Sequence, residues 1–257
     1  VALSELGYTV FAGVRKQKDA DALAAAHPAL RPVLLDVTDD DSVAGAVAAV
    51  EASGLPLAAV VNNAGVGGGL PLEVYEMSDI KAMFEVNLFG AIRLTQAALP
   101  LLRASQGRIV NIGSIAGLVS TFRGGVYSAT KAGLAKVSDA LRLELEPWHI
   151  SVSNVLPAYV RTAIADKQLG ANAPVNKLSP QGRELYGART EIFSAKRARS
   201  EELASDMDVT DDAIVHAVTD AYPHTEYVVA NVNGTPAWII AKLVRFVPDR
   251  IRDRFMK

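Results

Sequence analysis

The feature that most constrains this chain is the recurrence of short apolar runs separated by stretches of helical pattern. Residues 8–14 are β-branched and aromatic, residues 31–37 and 57–61 are compact and apolar, and residues 108–112 and 150–156 repeat the type. Between them lie an alanine-rich helical stretch at 20–26, a segment at 77–103 that supports one long helix or two abutting ones, and a helix at 126–146 that Pro147 ends. Thr38 or Asp39 is placed to cap a further helix, because a short oxygen-bearing side chain accepts hydrogen bonds from orphan backbone amides. Strands alternating with helices of this length predict an α/β fold: a doubly wound, Rossmann-type parallel sheet covered on both faces.

Residues 163–208 break the rhythm. They are polar, mixed in charge and poor in β-branched residues, and read as a helical excursion over the sheet edge. A helix at 211–222, capped by Thr210, and a last strand at 225–229 follow. The tail at 236–257 mixes Trp238, Ile239, Ile240, Leu243, Val244, Phe246 and Val247 with basic residues. No repeat, low-complexity tract or linker divides the 257 residues, so one domain over 1–257 is expected.

Composition excludes several functions. Half the residues are apolar, ample for a core, and 26 basic against 28 acidic residues leave a net charge of −2, with no global attraction to nucleic acid. There is no cysteine, hence no disulfide framework and no thiolate chemistry, which fits a reducing, cytoplasmic setting. His27, His149, His216 and His224 lack metal-ligand spacing, so no metal is expected. No apolar run approaches the roughly 18 residues of a membrane span.

The chemistry concentrates in a few places. In Tyr127-Ser-Ala-Thr-Lys131, a phenol and an ammonium sit four residues apart on one helix face. The cation is expected to favour the phenolate and lower the tyrosine pKa from about 10, which makes Tyr127 a usable general acid or base. An exposed helix pair is the blander reading of that motif alone. Ser114 ends the strand at 108–112, and the carboxyl ends of strands are where open α/β sheets bind ligands. There it can donate to a carbonyl oxygen and stabilise developing charge. Asn62-Asn63-Ala64-Gly65 closes another strand, with Gly65 admitting close approach of a ligand. Asn87 stands among Val86, Leu88 and Phe89, an apolar neighbourhood for a mediocre helix former.

This ordered set, Asn-Asn-Ala-Gly, then Asn87, then Ser114, then Tyr127-x-x-x-Lys131, resembles the signature of the short-chain dehydrogenase/reductase family over nearly the whole chain. The resemblance implies an NAD(P)-dependent oxidoreductase. Tyr127 is then the general acid/base, and Lys131 lowers its pKa and holds the nicotinamide ribose. Ser114 orients the carbonyl, and Asn87 supports a proton-relay water. Asn63, Ala64 and Gly65 join the cofactor contacts, as do Asp36 and Val37 beside the adenine. Pro157-Ala-Tyr-Val-Arg-Thr162 resembles the segment at the nicotinamide carboxamide, contributing Pro157, Val160 and Thr162, although Ala158 stands where the family commonly has glycine. Arg15 follows the first strand with no acid before Asp19. A cation there pairs with a ribose 2′-phosphate, so NADP is favoured, with NAD the alternative.

The family's Thr-Gly-x-x-x-Gly-x-Gly phosphate loop is absent from the sequence, and residues 1–7 look like the end of the helix that should follow it. A fragment of a longer protein is the favoured explanation, and a naturally shortened, inactive relative the other. Residues 10–15, 32–38 and the tail look most like the 17β-hydroxysteroid and retinol dehydrogenase branch. That implies an apolar alcohol or carbonyl substrate (a steroid, retinoid or other lipid-like compound), with residues 163–208 as a lid over it. The tail has three readings: docking on the core, a homo-oligomer interface, or peripheral contact with a membrane. The alternative function is a non-catalytic binding or scaffold protein on the same fold.

Overall fold

The apolar runs form parallel strands. The computed structural model describes residues 1–161 and 174–255. In chain order, α1 (Ala2–Glu5), β1 (Val10–Val14), α2 (Gln17–Ala26), β2 (Leu30–Leu34), α3 (Asp40–Glu51) and β3 (Ala59–Asn62) make the first half of the alternation. The second half is α4 (Met77–Phe84), α5 (Gly90–Ser105), β4 (Arg108–Ile112), α6 (Gly125–Glu144) and β5 (Ser151–Pro157). After the residues outside the description come α7 (Pro180–Glu202), α8 (Asp208–Thr219), β6 (Glu226–Val229), the short β7 (Asn231–Val232) and β8 (Thr235–Pro236), α9 (Ala237–Phe246) and α10 (Asp249–Phe255).

Strands β3, β4, β5 and β6 lie side by side in that order, all parallel, with Asn62 opposite Asn111 and Asn111 opposite Asn154. Both faces are covered. On one, Ala98 and Leu102 of α5 pack against Val60, Ile109 and Val152. On the other, Ala213, Ala217 and Val218 of α8 pack against Val110, Val155 and Tyr227, with Leu3 of α1 beside them. This is the doubly wound layering expected from the sequence, and it buries the middle of the central strands: Ile109, Val110 and Val155 have no exposed surface.

Strands β1 and β2 pair with each other, from Val10 opposite Leu30 to Val14 opposite Leu34. Among the described residues they pair with nothing else. The strand expected at 31–37 therefore stops early and is only half buried, with Leu34 49% exposed. It ends because Asp36 turns the chain, accepting from both the amide (2.9 Å) and the hydroxyl (2.7 Å) of Thr38. Asp39 caps α3 by accepting from the Ser42 amide at 2.6 Å. The β1–β2 unit is fastened to α5 by Arg93. Its guanidinium binds Asp40, the Val37 carbonyl (2.6 Å) and Glu85 (2.7 Å). Gly90 lets the two bodies touch, since a Cβ there would lie 2.6 Å from Val37 Cγ2.

Three further expectations have different outcomes. The helical pattern at 77–103 forms α4 and α5, one of the two expected arrangements, joined through a π-helical segment, Glu85–Phe89. Thr210 does not cap α8. The helix starts at Asp208 after Met207, and the Thr210 hydroxyl is buried inside it without a partner. The tail folds back as α9, which docks through Ala237, Ala241 and Val244 beside β6 and pairs Arg245 with Glu226 at 2.8 Å. Among the described residues, no helix is long and apolar enough to cross a membrane.

Candidate active site

The carboxyl ends of β3 and β4 and the start of α6 converge on one place. Strand β4 reaches Gly113, where a Cβ would come within 2.6 Å of Asn154 Oδ1 and Leu156 Cδ2, so only glycine lets the chain pass. Ser114 follows in extended conformation. Its hydroxyl accepts from the Ala116 amide at 3.1 Å and donates weakly to the Pro157 carbonyl at 3.4 Å. Gly117 then lies against the Lys131 backbone, with a Cβ position 3.0 Å from its carbonyl oxygen. That contact holds the serine loop against α6.

Helix α6 presents Tyr127 half-buried and Lys131 buried, one turn apart. The Lys131 Nζ donates to the Ile112 carbonyl at 2.7 Å and lies 5.9 Å from the centre of the Tyr127 ring. Burial lowers the Lys131 ammonium to about 8. The Tyr127 phenol departs from the sequence expectation. Burial raises its pKa, and this outweighs the opposing influence of the nearby Ser114 hydroxyl and of the positive charge of Arg197. Spacing placed the cation correctly but could not show how dry the phenol is, and desolvation is the larger effect here. The phenol therefore keeps its proton at neutral pH.

Asn87 belongs to the π-helical segment and is buried to 1% exposure. Its Oδ1 accepts from the Val66 amide (2.8 Å), while its Nδ2 donates to the Val66 carbonyl (2.9 Å) and to Thr130 Oγ1 (3.2 Å). The side chain thus ties the loop after β3 to α6 rather than pointing at solvent. In that loop Asn63 and Ala64 are exposed, and Gly65 passes so close that a Cβ would stand 3.6 Å from Asn87 Oδ1 and 3.7 Å from Lys131 Nζ. Gly65, Asn87 and Lys131 are therefore gathered at one point, on the same sheet edge as Ser114.

The remaining expected contacts are spread along that edge. Arg15 follows β1 and is exposed, and Asp36 follows β2. The two are near enough for the arginine to help lower the aspartate pKa, although the Thr38 hydroxyl and then its amide contribute more. Val37 is buried against Gly90. Pro157 ends β5, and Val160 bridges to Ser205. Thr162 lies outside the described residues, as does the part of the proposed lid at 163–173.

Several residues were not singled out from the sequence. Asn62 donates to Thr95 (2.9 Å) and Asn111 (2.7 Å), and Asn111 donates to Ser138 (2.8 Å), a buried polar chain beneath the site. The alignment of Asn62 and Asn111 at equivalent strand positions was the available signal. Helix α7 brings Ser194 to Arg123 and the charge of Arg197 to Tyr127. A cavity of about 590 Å³ opens beside them, walled by Leu70, Pro71, Phe122, Arg123 and Val126. Its wall reaches Gly125 and Val126, the two residues before Tyr127.

Taken together, a phenol, a hydroxyl and a buried ammonium can handle a proton and a developing charge at one oxygen atom. Comparisons with known proteins show the family to which the chain belongs. Residues 1–172 match the family model described as short chain dehydrogenase. Human retinol dehydrogenase 16 is 33% identical over 263 residues, covering 99% of this chain and 81% of that protein. Bovine 17-beta-hydroxysteroid dehydrogenase type 6 is 32% identical over 238 residues, covering 86% and 72%. Among solved structures, a short-chain dehydrogenase from Streptomyces avermitilis superposes with a TM-score of 0.74 at 27% identity, covering 99% of this chain and 88% of that one.

Proposed function

From the chain's membership of the short-chain dehydrogenase/reductase family, we propose that it interconverts an apolar alcohol and its ketone or aldehyde with NADP, and that Ser114, Tyr127 and Lys131 carry the chemistry. The observation that supports this most is the convergence of Ser114, at the end of β4, with Tyr127 and Lys131 on α6, where Lys131 is buried one turn beyond Tyr127 and its Nζ lies 5.9 Å from the centre of the Tyr127 ring. The apolar substrate reading rests on the likeness to retinol and hydroxysteroid dehydrogenases and on the apolar walls of the adjacent cavity.

The residues present fit the nicotinamide end of such a cofactor. Lys131 gives one hydrogen to Ile112 and has further donors for ribose hydroxyls, and Gly65 leaves backbone room beside it. Arg15 and Asp36 stand at the strand ends where the adenosine end would lie, and the charge of Arg15 suits a 2′-phosphate, so NADP is proposed over NAD. When bound, the cofactor exchanges two electrons with the substrate carbon. The chain does the rest. Ser114 donates to the substrate oxygen and fixes its direction. Tyr127 delivers its proton to that oxygen, a role its raised pKa suits in the reducing direction. Lys131 steadies the phenolate left behind. Asn87, through Val66 and Thr130, keeps the loop after β3 in register with α6.

The test is Tyr127→Phe. Turnover should fall by roughly 10²-fold or more, the scale of general acid/base catalysis, while NADP affinity changes little. Near-normal turnover in the variant, on any steroid, retinoid or aliphatic alcohol the parent protein oxidises, removes Tyr127 from the mechanism.

A further inference from the structure

Among the described residues, Arg123 is the least accounted-for charge. It lies four residues before Tyr127, in the loop that leads into α6, and is only 8% exposed. Its Nε is buried without a hydrogen-bond partner. Its Nη1 makes one long bond, 3.3 Å, to Ser194 of α7, and its guanidinium stands 5.3 Å over the Phe193 ring. Among the described residues it forms no ion pair. Burial lowers its pKa most and the charge of Arg197 lowers it further, against a smaller opposing effect of the Tyr75 phenol. Yet a guanidinium does not give up its proton in a protein. A buried, unpaired cation is costly, and it persists where something else supplies the opposite charge.

The surroundings say what kind of group that is. Arg123 is part of the wall of the 590 Å³ cavity, whose apolar walls include Leu70, Pro71, Phe122 and Val126, with the hydroxyl-bearing Ser120, Thr121 and Tyr186 also lining it. Glu73 also borders the cavity, but its carboxylate is exposed and is engaged by the Tyr186 hydroxyl. Arg189 stacks 4.4 Å over Phe122 at the same wall, adding a third positive charge. Thr190, fully buried with an unpartnered hydroxyl, shares its face of α7 with Ser194 and Arg197 by the spacing i, i+4, i+7. An apolar cavity with one desolvated guanidinium fits a ligand with an apolar body and one planar anionic end, which a guanidinium meets with two parallel hydrogen bonds.

We propose that Arg123 binds a carboxylate of the substrate, so that the physiological substrate is a hydroxy or oxo acid with an apolar chain rather than a neutral alcohol. This rests on the oxidoreductase reading above and narrows its substrate class. The carbonyl or hydroxyl meets Ser114 and Tyr127, and the acid end turns to Arg123 under α7. Arg197 is held by Glu201 at 2.8 Å and adds positive potential between the two places, since it acts on Tyr127 and Arg123 alike.

The experiment compares 3-hydroxyoctanoate with its methyl ester, a pair that differs in charge but hardly in shape. Binding of each to the full chain is measured by calorimetry without cofactor, for the parent protein, Arg123→Met and Arg123→Lys. The parent should bind the acid at least tenfold more tightly than the ester, the scale of one charge-assisted pair. Arg123→Met should erase that preference while leaving ester affinity nearly unchanged, and Arg123→Lys should keep part of it. A structural role for Arg123 would weaken acid and ester equally, and that result overturns the proposal. So does ester binding as tight as acid binding in the parent, or no acid binding at millimolar concentration. Because the assay reads binding alone, a failure of NADP-dependent turnover with the acid preference intact would refute only the oxidoreductase reading.

Discussion

Lys131 is asked to stay charged in a place that disfavours charge. Burial brings its ammonium from 10.5 to about 8, with a single carbonyl oxygen, Ile112, recorded against it. The sign of the consequence follows from linkage. Between about pH 8 and 10.5 the unfolded chain holds a proton on this group that the folded chain has lost, so stability rises with pH across that window. Below pH 8 the full cost of the buried charge is present. Replacing Lys131 with Met should therefore flatten the rise between pH 8 and 10.5 and stabilise the protein at pH 7 by up to about 3 kcal/mol, less about 1 kcal/mol for the lost hydrogen bond. Urea unfolding of both proteins at pH 7 and pH 10 measures it. The same stability difference at both pH values would show that Lys131 is not desolvated in the folded chain. A residue that lowers stability and is kept charged suits a site that spends folding free energy on chemistry.

At the scale of elements, the contact between the β1–β2 unit and α5 depends on a missing side chain. A Cβ on Gly90 would stand 2.6 Å from Val37 Cγ2 and 3.2 Å from the Val37 carbonyl oxygen. Alanine is the better helix former by about 1 kcal/mol, but overpacking at such a distance costs about 1–3 kcal/mol. Gly90→Ala should therefore lower the melting temperature by a few degrees, and adding Val37→Ala should recover part of the loss, a coupling that a double-mutant cycle reads directly. Additive effects would place the contact elsewhere. No periodicity announces such a contact, and this divides what was legible from what was not. The strands β4 and β5 were legible because their middles are rich in β-branched residues and buried, and the placement of Ser114, Tyr127 and Lys131 because a strand end and an i, i+4 pair are local patterns. Arg123 meeting Ser194 is a contact across 71 residues, which depends on where α7 lands. The direction of the Tyr127 pKa depends on burial, which spacing does not encode. The β7–β8 ribbon has two residues per strand, too few for an alternating pattern.

At the scale of the whole molecule, the parallel strands form two separate sheets, β1–β2 and β3–β4–β5–β6. Strands β1 and β3 each have one edge unpaired among the described residues, and such edges leave backbone donors and acceptors without ladder partners. The same region lacks a second thing. On the proposal above, Lys131 and Gly65 hold the nicotinamide end and Arg15 the 2′-phosphate, while α2, the helix after β1, begins Gln17-Lys18-Asp19 rather than with a glycine-rich turn that could offer its amides and positive dipole end to a pyrophosphate. One addition can meet both needs: a parallel strand followed by a glycine-rich loop and a helical turn, placed ahead of Ala2–Glu5. A chain extended in this way should melt several degrees higher, because the added strand pairs with the edges of β1 and β3 that are unpaired among the described residues. It should also bind NADP at least tenfold more tightly, with the gain larger for NADP than for NAD if Arg15 reads the phosphate. Thermal unfolding and calorimetric titration of both chains with both cofactors separate the two effects. Micromolar NADP binding by the present chain, unchanged on extension, would place the pyrophosphate at a different site and remove the strand ends of β1 and β2 from cofactor recognition.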